Sequence, residues 1–161
     1  MIAIGVFGAT AGWLASPYFQ GARPDALVAE AFAVRDGGVA PEQRFDAEAA
    51  APLRDRIVGT TLAVPAKIPD LGRAGYSLTG IAVYPERGGH ALQVSYRDGR
   101  GRSFTLYMRR SIGPDRFDLE EKGATRICIW QNEDLSVVML GDMPSKEMLK
   151  VATLTYGDLN F

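Results

Sequence analysis

The stretch SFTLYM at residues 103–108 has the clearest alternation of apolar and polar side chains among the strand-like segments of this chain. Phe104, Leu106 and Met108 would point to one side of an extended strand, and the residues between them to the other side. A period of two predicts a β-strand whose two faces meet different surroundings.

Four further segments repeat this pattern, at residues 76–84, 91–96, 125–130 and 135–140. Glycine-containing turn signals separate neighbouring segments, such as Arg87-Gly88-Gly89 and Asp98-Gly99-Arg100-Gly101. Because connections this short join antiparallel strands, the sequence predicts an antiparallel β-meander of about five strands. The charged segment 111–123 predicts a solvated loop or an edge strand.

Helical signals lie on both sides of these strands. An apolar stripe between Leu27 and Val34 follows a start signal at Pro24 and Asp25, and a second short helix is predicted from a cap at Asp46 to Gly59. Residues 39–52, rich in alanine, proline and charge, predict a linker.

Pro144 opens a final helix. Its sheet-covering side chains are predicted to be Met148, Leu149, Ala152 and Tyr156. The fold class expected is α+β, with the helices packed on one face of the meander.

The first 22 residues contain no charged side chain. About 20 apolar helical residues cross a hydrocarbon core of roughly 30 Å, and Trp13, Tyr18 and Phe19 would suit the headgroup boundary. We therefore predict an N-terminal transmembrane helix. A signal peptide cleaved near Ala9-Thr10-Ala11 ranks second because no Lys or Arg precedes the apolar run, and a buried helix of a soluble domain ranks third. The domains expected are an anchor at 1–22, a helical linker region at 23–59 and an extracytoplasmic α+β domain at 60–161.

Composition excludes several classes of function. The 161 residues suffice for about one domain, and 18 basic residues against 19 acidic ones give a net charge of −1, which argues against nucleic acid as a partner. The single cysteine, Cys128, excludes an internal disulfide and a cysteine-rich metal site, and the single histidine, His90, excludes a multi-histidine metal cluster. No metal or cofactor is expected.

His90 is the one residue on which acid–base chemistry at neutral pH could be built. A half-exposed polar residue at a turn is the favoured interpretation. The alternative, a secreted small hydrolase, requires a serine and a carboxylate within hydrogen-bond reach of His90 in a concave pocket. Cys128 is interpreted as a packed strand residue, and the neighbouring carboxylates Glu120-Glu121 as a solvated loop. The chain is therefore predicted to bind and not to catalyse.

A set of basic residues surrounds one predicted hairpin and is interleaved with aromatic residues. This candidate partner-binding patch consists of Arg97, Arg100, Arg102, Arg109 and Arg110. It could contact an anionic partner or a lipid headgroup, which gives a third hypothesis, an envelope- or lipid-binding module. Charged residues that protect an exposed strand edge are an equally good explanation.

An ordered series of short motifs spans nearly the whole chain. Gly12-Trp13-Leu14 is followed by the alanine-rich helix from Leu27 to Val34, by Pro69-Asp70-Leu71, by Gly75-Tyr76 with Leu78 and Gly80, and by Tyr96. Then come Gly101-Arg102 with Thr105-Leu106-Tyr107, Trp130, Gly141-Asp142 and Tyr156. In order and spacing this series resembles the membrane span and extracytoplasmic part of bacterial membrane-anchored anti-sigma factors. The strand after Gly80 departs from the family, since Ile81-Ala82-Val83 replaces the usual glycine- and arginine-rich sequence.

The resemblance implies a single-pass protein of the bacterial inner membrane whose C-terminal domain is extracytoplasmic and regulates sigma-factor-dependent transcription. The sigma factor would be bound through a cytoplasmic module, often carrying a zinc motif, that precedes the span in the family. Met1 begins at the span, so no sigma-binding residue carries over to this chain. Further partners implied are the membrane itself and an envelope protein or protease.

Overall fold

The structure, a computed structural model, describes residues 25–159. The strands are β1 (Gln43–Asp46), β2 (Tyr76–Glu86), β3 (Gly89–Asp98), β4 (Ser103–Arg110), β5 (Arg116–Lys122), β6 (Thr125–Gln131) and β7 (Leu135–Gly141). The helices are α1 (Ala26–Arg35), α2 (Ala47–Ala50), α3 (Ile57–Leu62) and α4 (Ser145–Asp158), with 3₁₀ turns at Ala51–Leu53 and Gly72–Ala74.

The strands form one seven-stranded sheet in the order β1-β2-β3-β4-β7-β6-β5. Every neighbouring pair is antiparallel. The sheet consists of two meanders that join where β4 pairs with β7, with Leu106 opposite Met139. The connection at residues 111–115 carries the chain from the middle of the sheet to its far edge, so β1 and β5 are the edge strands.

Helices cover both faces of this sheet. On one face, which we call the α4 face, α2, α3 and α4 pack on side chains that include Leu106, Trp130 and Met139. On the other, the α1 face, helix α1 packs Leu27 and Ala31 against a second apolar cluster that includes Ile129 and Val138. All seven residues of β7 are buried, as expected for a central strand covered on both sides.

The predicted fold class is therefore wrong in two respects. The sheet has seven strands in place of about five, and its helices lie on both faces in place of one. The five segments predicted as strands all fall within β2, β3, β4, β6 and β7. β5 lies in segment 111–123, for which an edge strand was one of two expectations, whereas β1 was not predicted as a strand; neither contains a buried residue.

The predicted linker at residues 39–52 is also corrected. Gln43–Asp46 pairs with β2 as the edge strand β1, with Phe45 opposite Ile81. Asp46 ends this strand and caps α2, because its carboxylate accepts a hydrogen bond from the backbone N–H of Ala49 at 2.9 Å. The segment therefore belongs to the domain.

The face of α4 that is buried differs from the predicted face by a rotation about the helix axis. Met148 and Ala152 are buried as expected, but Leu149 and Tyr156 are 42% and 44% exposed. Val151 and Thr155 are buried in their place. The outer flank of α4 thus carries two large apolar side chains at the surface.

The predicted transmembrane helix at residues 1–22 lies outside the described residues. Within residues 25–159, no helix combines the length and apolarity that crossing a bilayer requires. The first described helix, α1, has ten residues and begins after Asp25, whose carboxylate accepts from the backbone N–H of Leu27 at 2.9 Å.

Candidate functional site

A polar cleft of about 920 Å³ lies on the α1 face, where β4 ends beside α1 and the β2–β3 turn. We call it the Arg109 cleft. Its chemically relevant lining residues are Glu30, Tyr84, Glu86, His90, Tyr107 and Arg109. They come from α1 and from three adjacent strands, so the sheet register brings them together.

Arg109 lies at the centre of this cleft and is only 8% exposed. Its Nη1 donates to Glu86 Oε1 at 2.5 Å, and its Nε lies 3.5 Å from Glu30 Oε2. That Nε is buried and makes no hydrogen bond within the described part of the chain. Two carboxylates therefore face this guanidinium, and because Arg87 and Arg110 also line the cleft, its arginines outnumber its carboxylates by three to two.

Two tyrosine hydroxyls complete the cluster. Tyr107 donates to Glu30 Oε2 at 3.4 Å, and Tyr84 donates to Gln93 Oε1 at 3.0 Å. Burial, followed by the charges of Glu86 and Glu30, raises the pKa of Tyr107 well above its ordinary value. Both hydroxyls are engaged as hydrogen-bond donors, an arrangement that suits binding better than proton transfer.

His90 is at the rim of the cleft, and its Nε2 lies 3.2 Å from Glu42 Oε2. Both side chains are exposed. Ser111 also lines the cleft, but its hydroxyl donates to the carbonyl of Gly113 at 3.4 Å. Among residues 25–159, no hydrogen bond joins His90 to a serine. The constellation that a hydrolase would need is not assembled in the described part of the chain.

The five arginines of the predicted basic patch do not form one surface. Arg109 and Arg110 are at one end of β4, whereas Arg97, Arg100 and Arg102 cluster at the other end. The eight residues of β4 separate the two ends by roughly 24 Å. Arg102 is engaged by Asp98 at 2.7 Å and by Glu147 at 2.6 Å.

Arg102 belongs to a second network, which ties α4 to the sheet. Tyr76 donates to Glu147 Oε1 at 2.8 Å, and Arg102 Nη1 donates to the other oxygen of the same carboxylate. Burial, together with the hydrogen bond to Glu147, raises the pKa of Tyr76 to about 12. The hydrogen bond from Tyr76 and the charge of Arg102 hold the pKa of Glu147 below its ordinary value.

A stack of aromatic rings continues this network into the core. Phe104 packs edge-on against Tyr76 and face-to-face against Tyr96, with 5.0 Å between ring centroids in both pairs. The hydroxyl of Tyr96 donates to the carbonyl of Pro69 at 2.8 Å. The segment before β2 is thereby held on the α4 face.

An apolar groove of about 530 Å³ lies on the α4 face between edge strand β5 and helix α4. We call it the β5–α4 groove. Phe117 and Tyr156 flank it, and Phe117 is 59% exposed. The sequence analysis missed this groove, although Phe117 and Leu119 alternate with charged residues in segment 111–123, which was a usable signal.

The remaining candidates show no catalytic arrangement. Cys128 is fully buried, and burial raises the pKa of its thiol to about 12. Across residues 25–159, no cluster of three or more His, Cys, Asp or Glu side chains is placed to hold a metal ion.

No family model matches this chain, and no curated protein or solved structure matches it either.

Proposed function

We propose that this chain is the membrane-anchored, extracytoplasmic regulatory part of an anti-sigma-factor-like protein, and that it acts by binding. The observation that carries the proposal is the framework formed by Tyr76, Tyr96, Arg102 and Glu147, in which the ring of Phe104 joins the two tyrosines. Three of these four residues belong to the motif series on which the family resemblance rests. These residues link strands, a loop and the last helix, so the motif series marks positions that hold the fold together.

The glycines of the same series have structural roles. A Cβ at Gly141 would lie 2.8 Å from Met143 Cε and 3.0 Å from Phe104 Cβ. At Gly80, next to a register shift in β2, a Cβ would lie 3.0 Å from the carbonyl oxygen of Phe45. Because the packing requires glycine at these motif positions, a resemblance in fold explains the motif series better than a chance match does.

The Arg109 cleft favours binding over catalysis. Three of the ionisable groups that line it, Arg109, Glu86 and Glu30, are engaged with one another. A serine hydroxyl paired with a histidine base, as nucleophilic hydrolysis would need, is not formed within the described residues. A polar ligand would find carboxylate and guanidinium groups and two tyrosine hydroxyls in one place.

Edge strand β1 offers a means of regulation. It pairs with β2 alone and has four exposed or half-buried residues, so it is among the least costly parts of the sheet to detach. A partner that changes this pairing would expose the surrounding segment 39–52 to an envelope protease. Signal reception would thus be coupled to cleavage.

The test is transcript profiling in the native host after deletion of the gene that encodes this chain. We expect altered transcription of a discrete group of genes that share one promoter motif. Re-expressing the wild-type chain should restore the pattern. An unchanged transcript profile after deletion would contradict a regulatory role.

A further inference from the structure

The outer edge of β5 is the longer of the two free edges of the sheet. β5 has seven residues and pairs with β6 alone, whereas the opposite edge strand β1 has four. The register of β5 with β6 runs from Arg116 to Lys122 without interruption, so no bulge bends this edge away from a partner. Among residues 25–159, no strand pairs with its outer side. The edge therefore offers a straight row of backbone donors and acceptors to an added strand.

The turn between β5 and β6 determines which backbone groups point outward. Lys122 and Thr125 flank a two-residue turn and close it as a hydrogen-bonded pair, so the N–H and C=O groups of Lys122 point toward β6. Because these groups alternate in direction along an antiparallel pair, those of Phe117, Leu119 and Glu121 point away from β6. Each of these three residues can therefore form a hydrogen-bonded pair with a residue of an added antiparallel strand.

Two of the three outward residues also expose apolar side chains. Phe117 and Leu119 are 59% and 38% exposed. In the β5–β6 register they lie opposite Trp130 and Cys128, which are fully buried on the α4 face. The apolar surface of the sheet therefore continues to its edge. An edge that presents apolar side chains beside unpaired backbone groups is where an extended peptide adds to a sheet.

The charges of β5 favour a basic residue in the added strand. Arg116 is already engaged by Asp25 and by Asp118. The ammonium of Lys122 lies over an aromatic ring of α1, 4.5 Å from the ring centroid. Glu120, in contrast, is exposed and forms no ion pair within the described residues. A basic side chain opposite Glu120 would complement a carboxylate that the described part of the domain leaves unpaired.

A second copy of this chain fits the edge less well than a separate peptide does. An antiparallel pair of β5 strands that sets Phe117 opposite Leu119 would also set the two Asp118 side chains opposite each other. Residues 115–122 contain four carboxylates and two basic side chains, so two such edges repel each other. A peptide that carries a basic residue is attracted to the same edge.

We propose that the β5 edge binds an extended peptide of another protein as an eighth, antiparallel strand with the pattern basic–apolar–polar–apolar. The basic residue lies opposite Glu120, and the two apolar residues lie opposite Leu119 and Phe117 on the α4 face. Main-chain hydrogen bonds supply the affinity, and the alternate side chains supply the specificity. The proposal goes beyond the regulatory role proposed above and concerns a surface distinct from the Arg109 cleft.

The test measures the binding of labelled peptides to the full chain in a mild non-ionic detergent, by fluorescence anisotropy. The reference peptide is Thr-Lys-Val-Thr-Ile-Thr, whose lysine falls opposite Glu120. Replacing this lysine with glutamate should weaken binding about fivefold, because an attractive cross-strand pair becomes a repulsive one. The variant Glu120→Lys should reverse the preference between the two peptides. Glu48→Lys, on the exposed surface of α2, changes the net charge equally and should keep the wild-type preference.

Methylation of peptide nitrogens distinguishes strand addition from a non-specific apolar contact. In the reference peptide the N–H groups of valine and isoleucine point to β5, whereas those of lysine and the middle threonine point away. Methyl groups on the first two nitrogens should abolish binding, and methyl groups on the other two should largely retain it. Amide exchange followed by NMR should slow at Phe117 and Leu119 in the complex. Equal loss of binding with both methylated peptides would overturn the proposal.

The other outcomes separate the possible occupants and the two proposals. Self-association of the chain that slows the same amides without peptide identifies a second copy as the occupant and overturns the peptide partner. Peptide binding that does not respond to Glu120→Lys lies elsewhere and overturns the site. No peptide binding, together with an altered transcript profile after gene deletion, overturns the strand addition alone. Peptide binding with an unchanged profile overturns the regulatory role alone.

Discussion

Arg109 shows how one side chain holds two layers of the molecule together. Its guanidinium reaches Glu86 in the sheet and approaches Glu30 on α1. Arg109 and Glu86 are both largely shielded from water. A substitution that removes one of them would therefore leave the other charge without a partner in a poorly hydrated site, which lowers the free energy of unfolding. The residue therefore matters for stability as well as for the character of the cleft.

Replacing Arg109 with alanine should lower the free energy of unfolding by about 3 kcal/mol, since it leaves Glu86 shielded and unpaired and removes the packed arginine stem. Urea unfolding followed by fluorescence measures the change. The adjacent Arg110 is exposed, and its replacement with alanine should change stability by no more than about 0.5 kcal/mol. Equal effects of the two substitutions would show that the ion pairs of Arg109 contribute little.

Glu147 should make the stability of the domain depend on pH in the acid range. Its folded pKa lies below the ordinary value of 4.5. Its contribution is therefore fully present above pH 4.5 and is lost as the pH falls through the lower folded pKa. The variant Glu147→Gln should be less stable at neutral pH and should lose less stability on acidification than the wild type.

The measurement is the free energy of unfolding from pH 7 down into the acid range, on buffers of constant ionic strength. Glu133→Gln, on the exposed β6–β7 turn, is the matched control and should follow the wild-type curve. Parallel curves for Glu147→Gln and the wild type would mean that the contacts with Tyr76 and Arg102 do not stabilise the carboxylate.

Sequence alone predicted the residues whose roles are local. Asp46 was identified as a helix cap and Asp25 as part of a helix-start signal, and both accept hydrogen bonds from the first turn of their helices, because a cap depends on neighbours two or three positions away. The role of Arg109 was not predictable in this way. Its partners Glu30 and Glu86 are far away in sequence, and only the sheet register brings them together.

The junction of β7 with α4 depends on close packing at Gly141. Any side chain there would press on Met143 and Phe104. We expect Gly141→Ala to lower the midpoint of thermal unfolding through overpacking, at a cost of about 1–3 kcal/mol.

Gly157, near the end of α4, is the matched control for Gly141. A Cβ there meets nothing within 4 Å, so Gly157→Ala should raise stability by about 0.5–1 kcal/mol through better helix propensity. Thermal unfolding of both variants gives the comparison. A neutral Gly141→Ala variant would indicate that Met143 moves aside without cost.

The elements that sequence predicted are those with one clear periodicity. β4 alternates because Phe104 and Leu106 face a larger core than Thr105 does. β5 also alternates, but its apolar residues are exposed at an edge and its charged residues dominate the pattern. The rotation of α4 was not predictable, since Leu149 and Tyr156 are as apolar as the residues that are buried.

Across the whole molecule, stability should decrease from the middle of the sheet to its edges. β4 and β7 each have two strand neighbours and are covered on both faces, whereas β1 and β5 have one neighbour each. Hydrogen exchange followed by mass spectrometry should therefore find the slowest amides in β4 and β7 and the fastest strand amides in β1 and β5. Exchange in β5 as slow as in β7 would mean that its outer edge is paired in solution.

The layer arrangement was the part of the fold least accessible to sequence reasoning. The apolar stripe of α1 shows that the helix packs on something, but not on which face of the sheet. The sequence of β7 does indicate helices on both faces, because Val137 and Val138 are adjacent apolar residues and both are fully buried. Consecutive apolar residues in a strand indicate cover on both sides.

The ion pair between Asp25 and Arg116 also bears on how the domain would respond to a mechanical load. A pull applied at the amino end passes along the backbone from Asp25 into α1, and the partly exposed ion pair to β5 would break early because it is weak. Tension would then lift α1 from the sheet, where only side-chain packing holds it, before it reached the backbone hydrogen bonds between strands. The first helix would be the first part of the domain to yield under strain, while β4 and β7 keep their structure.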